Sequence, residues 1–346
     1  MPTPAADGFR MPPEWAPHER TWMAWPGPNA TFGAEGGETL TAARAAWAAV
    51  ARAVRQYEPV TVVAGPGQLT GARALLGAGI DLVERPLDDA WMRDIGPTFL
   101  TDGTGRLAAV DWRFNGWGAQ EWAIWDHDAK IAEQVADLAG ARRYATPLVN
   151  EGGGIHVDGE GTVLLTETVQ LDPGRNPGRT KEEVEAEIHA HLGTTKAIWL
   201  PRGLSADYGR FGTRGHVDIV AAFARPGVVM LHTQPDPAHP DHAVCRELGA
   251  LLRASTDARG RRLEVVEVPA PTVIEADGEP VDYSYLNHLQ CNGGIVLCAF
   301  DDPRDAEAAA LFRRLFPGRT VTLVDARTIF AAGGGIHCIT QQQPAA

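Results

Sequence analysis

Apolar residues recur along the chain in two alternating rhythms. From Glu38 to Tyr57 (ETLTAARAAWAAVARAVRQY), an Ala-rich stretch sets Leu40, Trp47, Val50 and Val54 at helical spacing, and the β-branched run Val60-Thr61-Val62-Val63 follows at once. Farther on, Thr180-Lys181-Glu182-Glu183 has the form of a capping box that opens a helix, Gly193 closes it, and Ala197-Ile198-Trp199-Leu200 reads as a strand. The order returns late, with a helix near Asp305 to Phe316 leading into Thr320-Val321-Thr322-Leu323-Val324. Asp102-Gly103, Asp158-Gly159 and Asp277-Gly278 each lie between apolar segments and predict hairpins with two-residue turns. The whole pattern predicts an α/β protein whose units mix antiparallel strands with a helix.

The chain also resembles itself. Gly152-Gly153-Gly154-Ile155-His156 returns as Gly333-Gly334-Gly335-Ile336-His337, and His216-Val217-Asp218 echoes His156-Val157-Asp158. Asn292-Gly293-Gly294 and Arg93-Asp94-Ile95-Gly96 are turns of the same polar or Gly-rich kind. Five such turns predict a single pseudo-symmetric ring of ββαβ-like modules, with the turns converging on a central site and residues 1–346 forming one domain.

Composition narrows the partners. Hydrophobic residues make up 44% of the chain, too many for a disordered protein. Asp and Glu outnumber Lys and Arg by 44 to 31, a net charge of −13, which argues against binding a phosphate backbone and so against nucleic acid. The same field would draw in a small cationic substrate, although a soluble, self-repelling surface explains it equally well. The four cysteines, Cys245, Cys291, Cys298 and Cys338, include no C-x-x-C pair and are too few for a disulfide scaffold. They predict a reduced, cytoplasmic protein with one reactive thiol. The opening MPTPAAD has no basic and apolar leader pattern, and no run approaches the ~18 apolar residues of a membrane span, so neither export nor membrane insertion is expected. A homo-oligomer stays open.

Some residues invite chemistry. Glycines permit close backbone approach, so Gly333-Gly334-Gly335 can present the Cys338 thiol to a ligand at a strand end; the other reading is a small core cysteine beside an ordinary turn. His216 and Asp218 would share one face of an extended strand, where an imidazole beside a carboxylate serves proton transfer or metal binding. Asp94 and Glu151 are carboxylates at strand-end turns. They are either exposed turn acids or, with Asp218, the walls of an acidic pocket that only a cation can neutralise. Guanidinium suits such a pocket, being planar, permanently charged and matched to carboxylate pairs. A competing motif is Gly65-Pro66-Gly67, with Gly71 and Glu84 beyond it, which resembles a dinucleotide fingerprint and would make an oxidoreductase that uses a nicotinamide cofactor. Its spacing is GxGxxxG, however, and Pro66 removes an N–H from the turn, so a plain strand-turn-helix is the competing view.

The ordered set WxRDxGP, EGGxxHxDGxGT, GHxD, NGG and GGGxHCxTQQ, with Met11-Pro12-Pro13-Glu14-Trp15 and Thr21-Trp22-Met23-Ala24-Trp25-Pro26 before it, resembles the agmatine deiminase family. That family lies within the guanidino-group-modifying superfamily, which also includes bacterial-type peptidylarginine deiminases. The resemblance covers essentially the whole chain and implies a pseudo-fivefold α/β propeller. It implies Cys338 as nucleophile, an accessible thiol of low pKa, and His216 as general acid and base. Asp94 and Asp218 would be the carboxylates that grip the guanidinium, Glu151 the acid that completes the site, and Trp91 and Gly335 part of the substrate pocket. Agmatine would become N-carbamoylputrescine and ammonia through an amidino-thioether, with neither metal nor organic cofactor required. The basic stretch with Arg210 and Arg214, and His288 where the family usually has Phe, leave open a deiminase for free arginine, a guanidino acid or peptidylarginine. A propeller that binds ligands without catalysis also stays open.

Overall fold

The computed structural model describes residues 2–276 and 278–346. The expected alternation is present. The helix Glu38–Val54 buries Leu40, Trp47, Val50 and Val54, the positions its spacing selects, and runs into the strand Val60–Ala64. Burying each such side chain stabilises by roughly 1.5–3 kcal/mol. The capping box forms in full: Glu183 N–H donates to Thr180 Oγ1 at 3.2 Å, and Thr180 N–H donates to Glu183 Oε2 at 2.9 Å. Its helix, Lys181–Leu192, ends at Gly193, whose φ of 68° is the left-handed conformation that stops a helix without a Cβ penalty.

Five sheets repeat one plan. In the second, Thr98–Thr101 pairs antiparallel with Leu107–Arg113, which pairs parallel with Arg142–Val149. The third uses His156–Val157, Thr162–Thr166 and Lys196–Leu200 in the same way. The fourth uses Ala221–Arg225, Val228–Thr233 and Glu264–Pro269. The fifth uses Leu289–Cys291, Gly294–Ala299 and Thr320–Asp325. In each, a helix lies between the two parallel strands, as a parallel connection requires. The first sheet is completed by the opposite end of the chain: Thr340–Pro344 lies antiparallel to His18–Ala24, which continues parallel to Val60–Ala64 and then Asp81–Glu84. Both ends of the chain therefore share one sheet, a long-range pairing that fixes the segment just before Thr340.

Several local expectations need correction. The hairpins at Asp102-Gly103 and Asp158-Gly159 exist, but their loops are longer than two residues, because the aspartates cap them. Asp102 Oδ1 accepts N–H bonds from Thr104 and Arg106, and Asp158 Oδ1 from Glu160 and Thr162. Strands Glu275–Ala276 and Glu279–Pro280 pair antiparallel, while Asp277 itself lies outside the described residues. Asn292-Gly293 is the tip of the fifth sheet's hairpin, at the far end of the strand Leu289–Cys291 from the other four turns. The Gly65-Gly67 turn leads into the helix Leu69–Leu76, and Gly67 N–H donates to Glu84 Oε2 at 3.2 Å, so the acid of the supposed fingerprint caps its own turn.

Candidate active site

The repeated sheet plan determines where chemistry gathers. In every sheet, a short non-strand segment immediately precedes the first antiparallel strand. Asp94 sits in the single helical turn Met92–Ile95 before Thr98, Glu151 before His156, and His216 and Asp218 before Ala221. Asn287 precedes Leu289, and Cys338 precedes Thr340. Equivalent points of five sheets thus carry the polar residues, and four of these segments hold the five residues singled out from sequence.

His216 and Asp218 do not lie on an extended strand. Val217–Ile219 is a 3-10 turn, held by Asp207, whose carboxylate accepts N–H bonds from Thr213, Gly215 and His216. The pair nevertheless shares a site. A Cβ on Gly153 would lie 2.5 Å from His216 Nδ1, 3.0 Å from Asp94 Oδ1 and 3.1 Å from Asp218 Oδ2. Gly153 also donates its N–H to Asp94 Oδ1 at 3.0 Å, and Trp117 Nε1 donates to Asp94 Oδ2 at 2.9 Å. Asp94 is therefore aimed from both sides.

Glu151 is fully buried against Arg175, whose Nε stands 3.0 Å from both carboxylate oxygens, while Arg175 Nη2 donates to Thr213 O at 2.8 Å. That arginine ties the Glu151 turn to the segment leading into His216. His216 Nε2 is 3.1 Å from Glu151 Oε2, and its Nδ1 is 3.9 Å from Asp94 Oδ1. Burial works against a charged imidazole, but Asp94, Glu151 and Asp218 outweigh it and raise His216 to about 9. Burial lifts Glu151 in the other direction, and Arg175 with His216 overcomes it, holding the carboxyl down at about 2.

Cys338 is only 4% exposed. Asn287 Nδ2 donates to its Sγ at 3.2 Å, and Asp218 Oδ2 lies 3.6 Å away. Burial, followed by the negative charges of Asp218 and Asp94, pushes the Cys338 thiol well above its ordinary value. An accessible thiol of low pKa is thus corrected: the thiol is sheltered, and burial beside those carboxylates favours its neutral form. Trp91 packs beside it, since a Cβ on Gly334 would stand 2.9 Å from both Cys338 Sγ and Trp91 Cζ3. Gly335 lies against Asn287 Oδ1, 2.5 Å from where its Cβ would be. Asn287 Oδ1 also accepts the backbone N–H of His337 at 2.9 Å, fixing the turn that carries Cys338.

Asn287 was not legible as a site residue, because no glycine run marks it. Its place two residues before the strand Leu289–Cys291, matching Cys338 before Thr340, is the signal that finds it. Arg175 comes from a turn and Trp117 from the short kinked segment Gly116–Ala119, neither with such a signal. His288, beside Asn287, packs edge-on to Phe312 at 4.7 Å, and burial depresses it to about 4. It is a core histidine. Arg210 is exposed with its guanidinium over the Phe211 ring, and Arg214 Nη1 is bonded to Asp172 Oδ2 at 3.1 Å. Cys291 and Cys298 are strand residues of the core, and burial raises both thiols, Cys298 to about 12. Among the described residues no three His, Cys, Asp or Glu side chains are grouped to hold a metal ion. No helix among them is long and apolar enough to cross a membrane.

Residues 10–344 match the family described as Porphyromonas-type peptidyl-arginine deiminase. A Streptomyces avermitilis protein provisionally named as an agmatine deiminase is 75% identical over 346 residues, covering 99% of each chain. The Pseudomonas aeruginosa agmatine deiminase is 45% identical across 99% of this chain and 97% of its own. The structure of the Enterococcus faecalis agmatine deiminase superposes with a TM-score of 0.93 at 34% identity, over 100% of this chain and 98% of that one. The chain belongs to the Porphyromonas-type peptidyl-arginine deiminase family, and it is an enzyme, a hydrolase acting on C–N bonds.

Proposed function

We propose that the protein is a cytoplasmic agmatine deiminase, which hydrolyses agmatine to N-carbamoylputrescine and ammonia through a covalent intermediate on Cys338. The observation that carries this reading is the convergence of Asp94, His216 and Asp218 around Gly153, with Glu151 against His216 and Cys338 beside Asp218. Asp218 Oδ1 and His216 Nδ1 are buried and have no hydrogen-bond partner among the described residues. An unpaired buried acceptor such as Asp218 Oδ1 is costly, and a guanidinium offers N–H donors to it, whereas Nδ1 of the protonated His216 is itself a donor. The carboxylates of Asp94 and Asp218 would grip it, with Trp91 and the Gly335 backbone in the pocket wall.

The chemistry follows from charge. The bound cation offsets Asp94 and Asp218, so that Cys338 releases its proton to solvent water as the substrate binds, and the thiolate attacks the guanidinium carbon. A C–S bond forms and the carbon becomes tetrahedral. His216, held protonated by its carboxylates, passes a proton to one nitrogen; the C–N bond breaks and ammonia leaves. The neutral imidazole then takes a proton from water, whose oxygen attacks the amidino-thioether. The C–S bond breaks, restoring the thiol and releasing a urea. Glu151, fixed by Arg175, keeps the imidazole in place through this proton exchange.

Agmatine rather than a carboxylate-bearing guanidine is supported by the names of the relatives and by the engagement of Arg210 and Arg214 with Phe211 and Asp172. The repeated sheet plan supports a single pseudo-fivefold ring of modules around the site, and four free cysteines suit a reducing compartment. A panel of agmatine, arginine, guanidino acids and an arginyl peptide, scored for ammonia and ureido product, tests the reading. Turnover confined to arginine or to guanidino acids would replace agmatine.

A further inference from the structure

Behind Asp218 lies a second set of buried charges that the reaction above does not use. Glu14 comes from the loop before the strand His18–Ala24, outside the five site turns, yet only 4% of it is exposed. Its Oε1 is 2.6 Å from His337 Nε2, and the other ring nitrogen, Nδ1, is 2.8 Å from Asp218 Oδ2. The line Glu14, His337, Asp218 ends 3.6 Å from Cys338 Sγ. We infer that Glu14 and His337 are positioning residues: the carboxylate holds His337 as a cation, and the cation fixes the charge and rotamer of Asp218 so that Oδ1 faces the guanidinium.

A carboxylate oxygen only accepts hydrogen bonds, and both ring nitrogens of His337 face one. Only the doubly protonated imidazolium donates to both. The ionisable groups around the ring agree: burial and Arg93 oppose the charge, whereas Glu14 and Asp218 favour it and raise His337 overall. His156 Nε2, 3.7 Å from Glu14 Oε2, and Arg93 Nη1, 4.0 Å from Oε1, hold the far carboxylate, and the neutral His288 lies nearby. With Oδ2 of Asp218 occupied by His337, its Oδ1 is the oxygen left unpaired.

The loop is built to keep Glu14 there. His18 Nε2 is 3.0 Å from Glu14 O while its Nδ1 meets Glu58, and Arg319 Nη2 donates to Trp15 O at 2.9 Å. Asn292, which is absent from the site, bonds both backbone groups of His18. Arg93 closes the set, donating its Nε to His337 O and its backbone N–H to Cys338 O. The nucleophile's own backbone is thereby tied to the ring that orients Asp218.

The inference rests on the proposed role of Asp218, and one comparison separates the two. Glu14→Gln, His337→Gln and Asp218→Asn are assayed with agmatine over a range of pH, with folding checked by Tm. Glu14→Gln should raise KM by about 10- to 100-fold with a smaller change in kcat, as the loss of one charge-assisted contact implies. It should also bring a new ionisation into the neutral limb of kcat/KM as His337 loses its partner. His337→Gln should raise KM without that ionisation. If Asp218→Asn is impaired while both other variants keep the wild-type KM and pH profile, the positioning role is wrong and the site reading stands. If Asp218→Asn is itself unimpaired, the site reading fails. Should the variants not fold, nitrogen NMR of the wild-type imidazoles decides: both His337 nitrogens protonated at mildly alkaline pH support the inference, and a neutral ring overturns it.

Discussion

Gly153 and His216 adjoin so closely that a Cβ on the glycine would lie 2.5 Å from His216 Nδ1, and the ring would have to move to admit it. The same missing atom admits Asp94 and Asp218, so this one backbone position sets how closely the three groups converge. Gly153→Ala should therefore leave the fold intact but displace the imidazole, and a displacement near 1 Å costs about 100-fold in rate. Steady-state kcat/KM alongside Tm checks this. An active alanine variant would mean that the three groups need not be so close.

The buried carboxylates make His216 a source of pH-dependent stability. Its folded pKa of about 9 lies above the ordinary 6.5, so the contribution is fully present below about 6.5 and is lost as pH rises through 9. Denaturant unfolding should show a loss on the order of a few kcal/mol across that window. His216→Asn should flatten that slope. An unchanged slope in the variant would assign the loss to other groups.

Labelling should follow the charge of the reagent. Because burial, Asp218 and Asp94 hold the Cys338 thiol protonated, neutral iodoacetamide should react slowly near neutral pH. A chloromethyl reagent that carries an amidinium should react at least about tenfold faster, with agmatine protecting. Cys291→Ala should keep most activity and label in the same way. Equal rates for the two reagents would contradict the link between the bound cation and the thiolate.

Much of this architecture is visible in the sequence because local rules act locally. The capping box at Thr180, the amphipathic spacing of Glu38–Val54 and the Gly-rich segments at 152–154 and 333–335 are all set by nearby residues. Asn292 misled because Asn-Gly marks any tight turn, whereas Asn287 has no local signature and acquires its role only from the strand after it. The same holds for Arg175 against Glu151 and Glu14 against His337, contacts that exist only once distant segments meet. The HxD pair does lie together beside Gly153, but on a 3-10 turn and not on the extended strand that its spacing predicts. Asp207, eleven residues before Asp218, folds that segment into a turn by capping three of its N–H groups.

The substrate's tail should be read without Arg210 and Arg214. Changing both to Ala removes a surface contact with Phe211 and an ion pair with Asp172, the latter worth about 1 kcal/mol or less for a half-exposed arginine. The preference for agmatine over guanidino acids should not change. Loss of activity on a carboxylate-bearing guanidine preferred by the wild type would identify these arginines as the tail's partners.

The most direct measurement concerns the bond to Cys338. Enzyme mixed with agmatine and quenched with acid during turnover should yield a chain heavier by agmatine less ammonia, with the added mass on the peptide that contains Cys338. Cys338→Ser, folded and treated alike, should carry no adduct and release no ammonia. Adduct on another residue, or ammonia released at the wild-type rate by the serine variant, would contradict the account.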